Sequence, residues 1–189
     1  LSDEVLVGSR SYAAYPPENN LLLHWKYGAK REVKSVSDRN KNPHFGFQSN
    51  NFLIPKTLFL EVKFDGKFEG YGHEDTVFGV QLRDKGIGVK HIDNPTQHLG
   101  LQRRSVFLEK CIEASEQLAR FVQQGRLDFK DTRMAKMYVL LKKLRLWKLF
   151  MLWASMRMPY IHRHLMMSKN PKLYKLDIYR LFFFGCNMP

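Results

Sequence analysis

Apolar positions in the first two thirds of the chain switch repeatedly between the spacing of helices and that of strands. The longest helical pattern covers residues 105–124 and repeats apolar side chains every three to four positions: Phe107, Cys111, Ala114, Leu118, Phe121 and Val122. Gly125 follows it and predicts its end. A second helix is predicted over residues 74–85, with acids in its first turn and Gly86 directly after it.

Shorter elements fill the remainder of this part of the chain. Helices are predicted over residues 20–27, ended by Gly28, and over residues 55–62, which begin with a proline. Asn94 and Pro95 are expected to end the last of three predicted strands, which cover residues 5–7, 52–54 and 87–92. Strands that alternate with helices predict an α/β layer architecture for residues 1–125.

Charge divides the chain at the same place. Residues 1–125 contain 17 Lys and Arg against 15 Asp and Glu, whereas residues 126–189 contain 14 against 3, so the excess positive charge lies almost wholly in the second part. The sequence therefore predicts two domains with a boundary near Gly125. An excess of this size favours a polyanionic partner, such as nucleic acid, anionic lipid or a phosphorylated substrate.

The second part has a helical rhythm of Leu, Met, aromatic and basic residues over residues 134–153, and few turn residues precede Pro159. Its uncharged stretches, such as residues 149–156, are far shorter than the ~20 residues that cross a bilayer. We therefore expect a basic amphipathic helical tail that either lies on an anionic membrane surface or packs onto the first domain. In the packing alternative the contacts come from five side chains: Tyr138, Leu141, Trp147, Phe150 and Trp153.

Two features bear on the compartment. Cys111 and Cys186 are too few for a disulfide framework, which favours a reducing environment. The segment after Leu1 has no signal-peptide pattern. Together with the tail, these features predict a cytoplasmic protein held peripherally on the inner face of the cell membrane.

The densest group of functional side chains is Tyr71, Gly72, His73, Glu74 and Asp75, a loop that enters the helix at residues 74–85. Adjacent acids at a helix N-terminus are stabilised by the helix dipole, which explains them without any function. The functional alternative is that the aromatic ring offers a flat face to a ligand while one carboxylate binds it and the other accepts a proton.

Two further groups of polar residues are weaker candidates. His91, Asp93 and His98 surround the end of a predicted strand, but none has a tight metal-ligand spacing. Asn50 and Asn51 lie in a polar bend that fits either turn chemistry or a sugar-binding edge.

Three runs in order carry a resemblance to a known family. GFQSNNFLIPK at 46–56, FDGKFEGYGHED at 64–75 and HIDNPTQHLGL at 91–101 resemble the later half of family 2 glycosyltransferases with the GT-A fold, of the bacterial glycan-assembly type. The middle run is similar to a WGxED signature. The resemblance covers roughly residues 5–120 and implies a GT-A-like mixed-sheet sandwich.

The resemblance also implies roles for the residues of the loop. Asp75 matches the catalytic base for the acceptor hydroxyl, and Glu74 matches the neighbour that orients the acceptor. Tyr71 stands where the family usually has an acceptor-stacking Trp, and His73 stands where Gly is common. Gly72, Asn50 and Asn51 complete the expected acceptor-binding set.

A metal site and a donor site are implied in the same way. His98 falls where relatives place a His that completes a divalent-cation site for Mn²⁺ or Mg²⁺, and His91 is the alternative ligand. No Asp-any-Asp triplet occurs in the chain, so the donor-binding half is expected upstream of Leu1, and the 189 residues alone are expected to be inactive.

The predicted function is accordingly sugar transfer from a nucleotide-diphosphate donor, most simply a UDP-sugar, to a glycan or lipid-linked acceptor. With Asp75 as base, a single displacement would invert the anomeric centre. The alternative is a non-catalytic carbohydrate-binding or scaffold fragment with a membrane-surface tail. Nucleic acid is not expected as a partner, because the first part is near neutral and no recognition motif is present. The sequence predicts no oligomeric state.

Overall fold

The computed structural model describes residues 4–64 and 70–189. The fold is mixed α/β, mostly helical, with one small sheet, and it contains two compact units. The first unit is formed by residues 4–16, 27–64 and 73–101, and the second by residues 17–26, 70–72 and 102–189. The helices in chain order are α1 (Leu22–Tyr27), α2 (Val36–Asn40), α3 (Lys56–Val62), α4 (Glu74–Asp84), α5 (Arg104–Gln123), α6 (Arg133–Lys143), α7 (Trp147–Met167) and α8 (Leu173–Cys186).

The sheet of the first unit has three strands, β1 (Val5–Ser11), β2 (Phe52–Leu53) and β3 (Val89–Gln97), in the order β2-β1-β3. β1 pairs antiparallel with β2 and parallel with β3, so the sheet is mixed. The prediction that Asn94 and Pro95 end β3 is wrong. The register shifts between Val7 and Ser9, and this bulge lets Pro95 sit opposite Ser9 inside the strand.

One face of the sheet packs against α4 to form the core of the first unit. Val5 and Val7 of β1 are fully buried and contact Phe78 and Leu82 of α4. The stacked rings of Phe64 and Phe78, 4.3 Å between centroids, extend this cluster. The predicted helix over residues 74–85 is confirmed, and its buried side chains fix where the first residues of α4 lie.

The predicted helix over residues 20–27 is α1, which ends at Tyr27 as expected, but the chain continues directly into a π-helical turn, Gly28–Glu32. Glycine is needed there for a different reason. The ring of Tyr12 occupies the space in which a Cβ atom at position 28 would lie. This turn carries Glu32 into the first unit.

The second unit is helical and is built around α5, α7 and α8. The predicted helix over residues 105–124 is confirmed as α5. Arg104, 1% exposed, donates hydrogen bonds to Asn19 O and Asn19 Oδ1 and to the carbonyls of Leu165 and Ser168. Since α5 belongs to this unit, the predicted boundary near Gly125 lies inside the second unit.

The helical rhythm over residues 134–153 is divided between two helices, α6 and α7. α6 ends at Lys143, Arg145 adopts φ +58°, and Leu146 N–H donates to Leu141 O before α7 begins. This hydrogen bond and the left-handed residue form a Schellman cap. A separate α7 then runs through Pro159 to Met167.

Some aromatic residues of the tail pack within the second unit. Tyr138 stacks on Phe129 and meets the edges of Trp147 and Phe184. A Cβ atom at Gly185 would overlap the Trp147 indole, so the glycine permits this close packing. Among the described residues, no helix combines the length and apolarity needed to cross a membrane.

Candidate functional site

Glu74 and Asp75 form the first turn of α4, as the sequence predicted for the helix start. The residue before them, His73, has φ +69°, a left-handed backbone that His, like Asn and Asp, adopts more often than most residues with a side chain. Its carbonyl accepts the hydrogen bond from Val77 N–H. The left-handed turn at His73 therefore leads directly into the first turn of α4, which carries both carboxylates.

The Asp75 carboxylate accepts hydrogen bonds from both the side chain and the backbone N–H of Ser49. Burial raises its pKa, and the Glu32 carboxylate adds to that direction, while the Ser49 hydrogen bonds and the Arg10 guanidinium oppose it. Asp75 Oδ1 and Glu74 Oε2 are buried, and no residue in the described parts of the chain hydrogen-bonds to them. Buried carboxylate oxygens without partners are costly, so a ligand hydroxyl would be a favourable occupant.

Asp75 belongs to a group of five side chains that we call the polar cluster: Arg10, Tyr12, Glu32, Ser49 and Asp75. Arg10 Nη1 donates to Glu32 Oε2 at 2.9 Å, and the Tyr12 hydroxyl donates to the same oxygen. Burial and the Glu32 carboxylate raise the pKa of Tyr12, so the hydroxyl stays protonated as a donor. The cluster thus pairs a fixed cation with two acids.

Sequence reasoning did not identify Arg10, Tyr12, Glu32 or Ser49 as site residues. Arg10 and Tyr12 had no usable signal, because the first strand was predicted over residues 5–7, whereas β1 extends to Ser11 and Tyr12 follows it. Glu32 had no signal either, because it ends a π-helical turn that begins at Gly28, where the first predicted helix was expected to stop.

Asn50 and Asn51 both use their amides within the first unit. Asn50 Oδ1 accepts from Arg10 Nη2 at 3.0 Å, and its Nδ2 donates to Thr96 Oγ1 at 3.2 Å. Asn51 Nδ2 donates to the carbonyls of Ser9 and Asn94, which flank the bulge between β1 and β3. Asn50 therefore orients the guanidinium of the polar cluster, whereas Asn51 stabilises the sheet.

His91 is 2% exposed and has protein partners on both ring nitrogens. Arg39 Nη1 lies 2.7 Å from its Nδ1, and its Nε2 lies 2.9 Å from Pro43 O. Because a guanidinium can only donate, the ring accepts at Nδ1 and donates at Nε2, which is the neutral form. Burial lowers the pKa of His91 and favours the same form. This geometry gives His91 a structural role that involves no metal.

His98 packs its ring against Tyr12, with 5.3 Å between centroids, and its backbone N–H donates to Ser11 O. Within residues 4–64 and 70–189, no three His, Cys, Asp or Glu side chains are close enough to hold a metal ion together. A hard divalent cation needs several oxygen ligands, so His98 and its described neighbours do not fit a Mn²⁺ or Mg²⁺ site by themselves.

Tyr71 and Gly72 belong to the second unit. Lys110 Nζ lies 4.6 Å from the centroid of the Tyr71 ring, a cation–π contact. Gly72 has φ +100°, and a Cβ atom there would lie 2.6 Å from Ala114 Cβ in α5. The close approach of α5 therefore explains why a glycine stands at position 72, and no ligand is needed to explain it.

Chemically, the first unit offers the fixed carboxylate of Asp75, the adjacent carboxylate of Glu74 and the guanidinium of Arg10. Each carboxylate has one buried oxygen without a hydrogen-bond partner among the described residues. Such a group can hold a polar ligand and accept a proton from it.

No family model, no curated protein and no solved structure matches this chain.

Proposed function

We propose that this protein is a glycosyltransferase in which Asp75 removes the proton from an acceptor hydroxyl as that oxygen attacks a nucleotide-diphosphate sugar. The observation that carries the proposal is the state of Asp75. Ser49 fixes its carboxylate, burial makes it more basic, and Oδ1 has no hydrogen-bond partner among the described residues. A base needs a fixed position, a raised pKa and a lone pair that no protein donor occupies.

Glu74 supplies the second function of the site in this proposal. Its buried Oε2 has no hydrogen-bond partner in the described chain and would accept a hydrogen bond from a neighbouring hydroxyl of the acceptor. Two hydroxyls of a sugar ring would then be bound by two adjacent carboxylates. Tyr71 as a stacking surface for the acceptor stays a proposal that rests on the sequence resemblance.

The reaction would be a single displacement. The acceptor oxygen forms a bond to the anomeric carbon, the bond to the nucleoside diphosphate breaks, and the acceptor proton moves to Asp75. Attack from the face opposite the leaving group inverts the anomeric configuration. No step is assigned to a divalent cation, because the described residues do not complete a metal site.

The finer fold and the partners belong to the same proposal. We infer that the small mixed sheet is part of a GT-A-type sandwich, that the donor is a UDP-sugar, and that the acceptor is a glycan or lipid-linked sugar. We also propose that sugar transfer takes place at the cytoplasmic face of the cell membrane. The charge of residues 126–189, which contain 14 basic and 3 acidic side chains, supports this location.

The test uses the protein expressed from its natural gene. Nucleoside diphosphate release is measured from UDP-, GDP- and dTDP-sugars, with and without glycan and lipid-linked acceptors. We expect release that depends on the acceptor, and a product whose anomeric configuration is opposite to that of the donor. Release without acceptor, retention of configuration, or no release from any donor would contradict the proposal. Glycan binding without any release would support the carbohydrate-binding alternative instead.

A further inference from the structure

The outward side of α7 is apolar from Leu149 to Tyr160. Leu149, Leu152, Trp153, Met156 and Tyr160, which we call the α7 face, are 63%, 60%, 41%, 67% and 59% exposed. The buried side chains of the same helix, Trp147, Ala154, Ile161 and Leu165, lie on the opposite side. The spacing of three, four and seven residues places the exposed set on one continuous stripe.

Single exposed apolar residues are ordinary on a protein surface, but a contiguous set marks an interaction surface. The α7 face combines two leucines and a methionine with a tryptophan and a tyrosine. Aromatic rings of these two types are favoured at the boundary between lipid headgroups and acyl chains, because one end is apolar and the other carries a polar N–H or O–H.

Charge indicates which partner covers this face. No Asp or Glu occurs from Thr132 to Leu176, while α6, α7 and the turn between them contain eight cations: Arg133, Lys136, Lys142, Lys143, Arg145, Lys148, Arg157 and Arg163. Lys148 and Arg157 are exposed and flank the α7 face on its own helix. Long basic side chains beside an apolar stripe can extend toward headgroup phosphates while the stripe is buried.

We propose that the α7 face binds the surface of an anionic lipid bilayer, with α7 lying in the membrane plane. A second copy of the chain is the less favourable occupant, because two such faces would bring like charges together. This inference does not rest on sugar transfer. The sequence named five side chains for the packing alternative. Of these, Tyr138 and Trp147 are buried within the second unit, and only Trp153 belongs to the α7 face.

The first experiment follows Trp153 on mixing the protein with vesicles of phosphatidylcholine alone or with added phosphatidylglycerol. We expect a blue shift of fluorescence and quenching by lipids brominated near the headgroup, only with the anionic vesicles. The Trp153→Phe variant reports the background from the other tryptophans. Equal binding to neutral and anionic vesicles, or no binding to either, overturns the proposal.

The second experiment removes the apolar contacts without touching the core. Leu152→Gln with Met156→Gln should weaken partitioning into anionic vesicles by about tenfold or more, since two large apolar groups no longer leave water. Leu99→Gln with Tyr15→Gln is the matched control, because these residues are 82% and 85% exposed in the first unit. The control should bind vesicles like the wild type, and both pairs should melt like it.

The third experiment separates lipid from protein partners. Lys148→Glu with Arg157→Glu should abolish the preference for anionic vesicles, and added salt should weaken wild-type binding through screening. Sedimentation of the protein without vesicles tests the other occupant. A wild-type dimer that Leu152→Gln with Met156→Gln converts to monomer would show a copy-to-copy interface and contradict the membrane assignment.

Discussion

In the first unit, acids, amides and an arginine converge at the end of a short sheet, and two buried carboxylate oxygens lack partners among the described residues. In the second unit, leucines, a methionine and aromatic rings point outward from α7 between cations. The first arrangement leaves polar groups in need of a polar ligand, and the second leaves apolar groups in need of an apolar environment. Each is costly in isolation, and each indicates the chemistry of a different partner.

Each unit contains a buried arginine whose hydrogen bonds go only to uncharged acceptors. Arg39 in the first unit is hydrogen-bonded to the carbonyls of Gly8 and Ile92 and to the His91 ring. Arg104 in the second donates to four oxygens of Asn19, Leu165 and Ser168. Burial lowers the pKa of both guanidinium groups. Both therefore serve the fold, unlike Arg10, which contacts Glu32.

The largest expected effect is on stability. Arg104→Ala leaves four acceptor oxygens without their donor, and we expect a loss of about 3 kcal/mol or more in the free energy of unfolding. Arg103→Ala is the matched control, because that neighbour is exposed, and it should change stability by less than about 0.5 kcal/mol. Denaturant titration followed by tryptophan fluorescence measures both. Similar losses in the two variants would contradict the structural role of Arg104.

A smaller effect sharpens the account of the first unit. Ser49→Ala removes a hydrogen bond that lowers the pKa of Asp75, so the acidic limb of the pH–rate profile should move to higher pH. Ser49→Thr retains a hydroxyl and should restore the wild-type profile. Ser37→Ala, in the exposed end of α2, serves as control. An unchanged limb in Ser49→Ala would show that Asp75 does not set the profile.

The smallest effect concerns His91. Burial keeps the pKa of His91 in the folded chain below the unfolded value of about 6.5. As pH falls, the unfolded chain therefore binds a proton at His91 before the folded chain does. Stability from this source is complete above that value and is lost as pH falls below it. His91→Gln should therefore show a shallower decrease in melting temperature between pH 7 and pH 5. Parallel decreases in both proteins would refute this assignment.

Helix ends show how far the sequence could predict the fold. Gly86 and Gly125 follow α4 and α5, each has positive φ, and both ends were predicted because glycine adopts this backbone at little cost. The end of α6 has the same geometry at Arg145, φ +58°. Arginine carries no such signal, so the break between α6 and α7 could not be predicted from the helical rhythm over residues 134–153.

The candidate site shows a similar division. The position of Glu74 and Asp75 in the first turn of a helix was predicted, because acids are favoured at helix N-termini. Arg10 and Glu32 are 22 residues apart in sequence and are joined by an ion pair of 2.9 Å. Their approach depends on the π-helical turn after α1 and on the pairing of β1, which are tertiary features. Local patterns could identify the acids but not the groups that surround them.

The central claim is that Asp75 is the base, and one pair of variants tests it most directly. Asp75→Asn keeps the size of the side chain but removes its basicity, whereas Asp84→Asn makes the same change at the exposed end of the same helix. With a verified donor and acceptor, we expect turnover of Asp75→Asn to fall by about 10² or more, with Asp84→Asn unchanged and both variants folded. Wild-type turnover in Asp75→Asn would contradict the account.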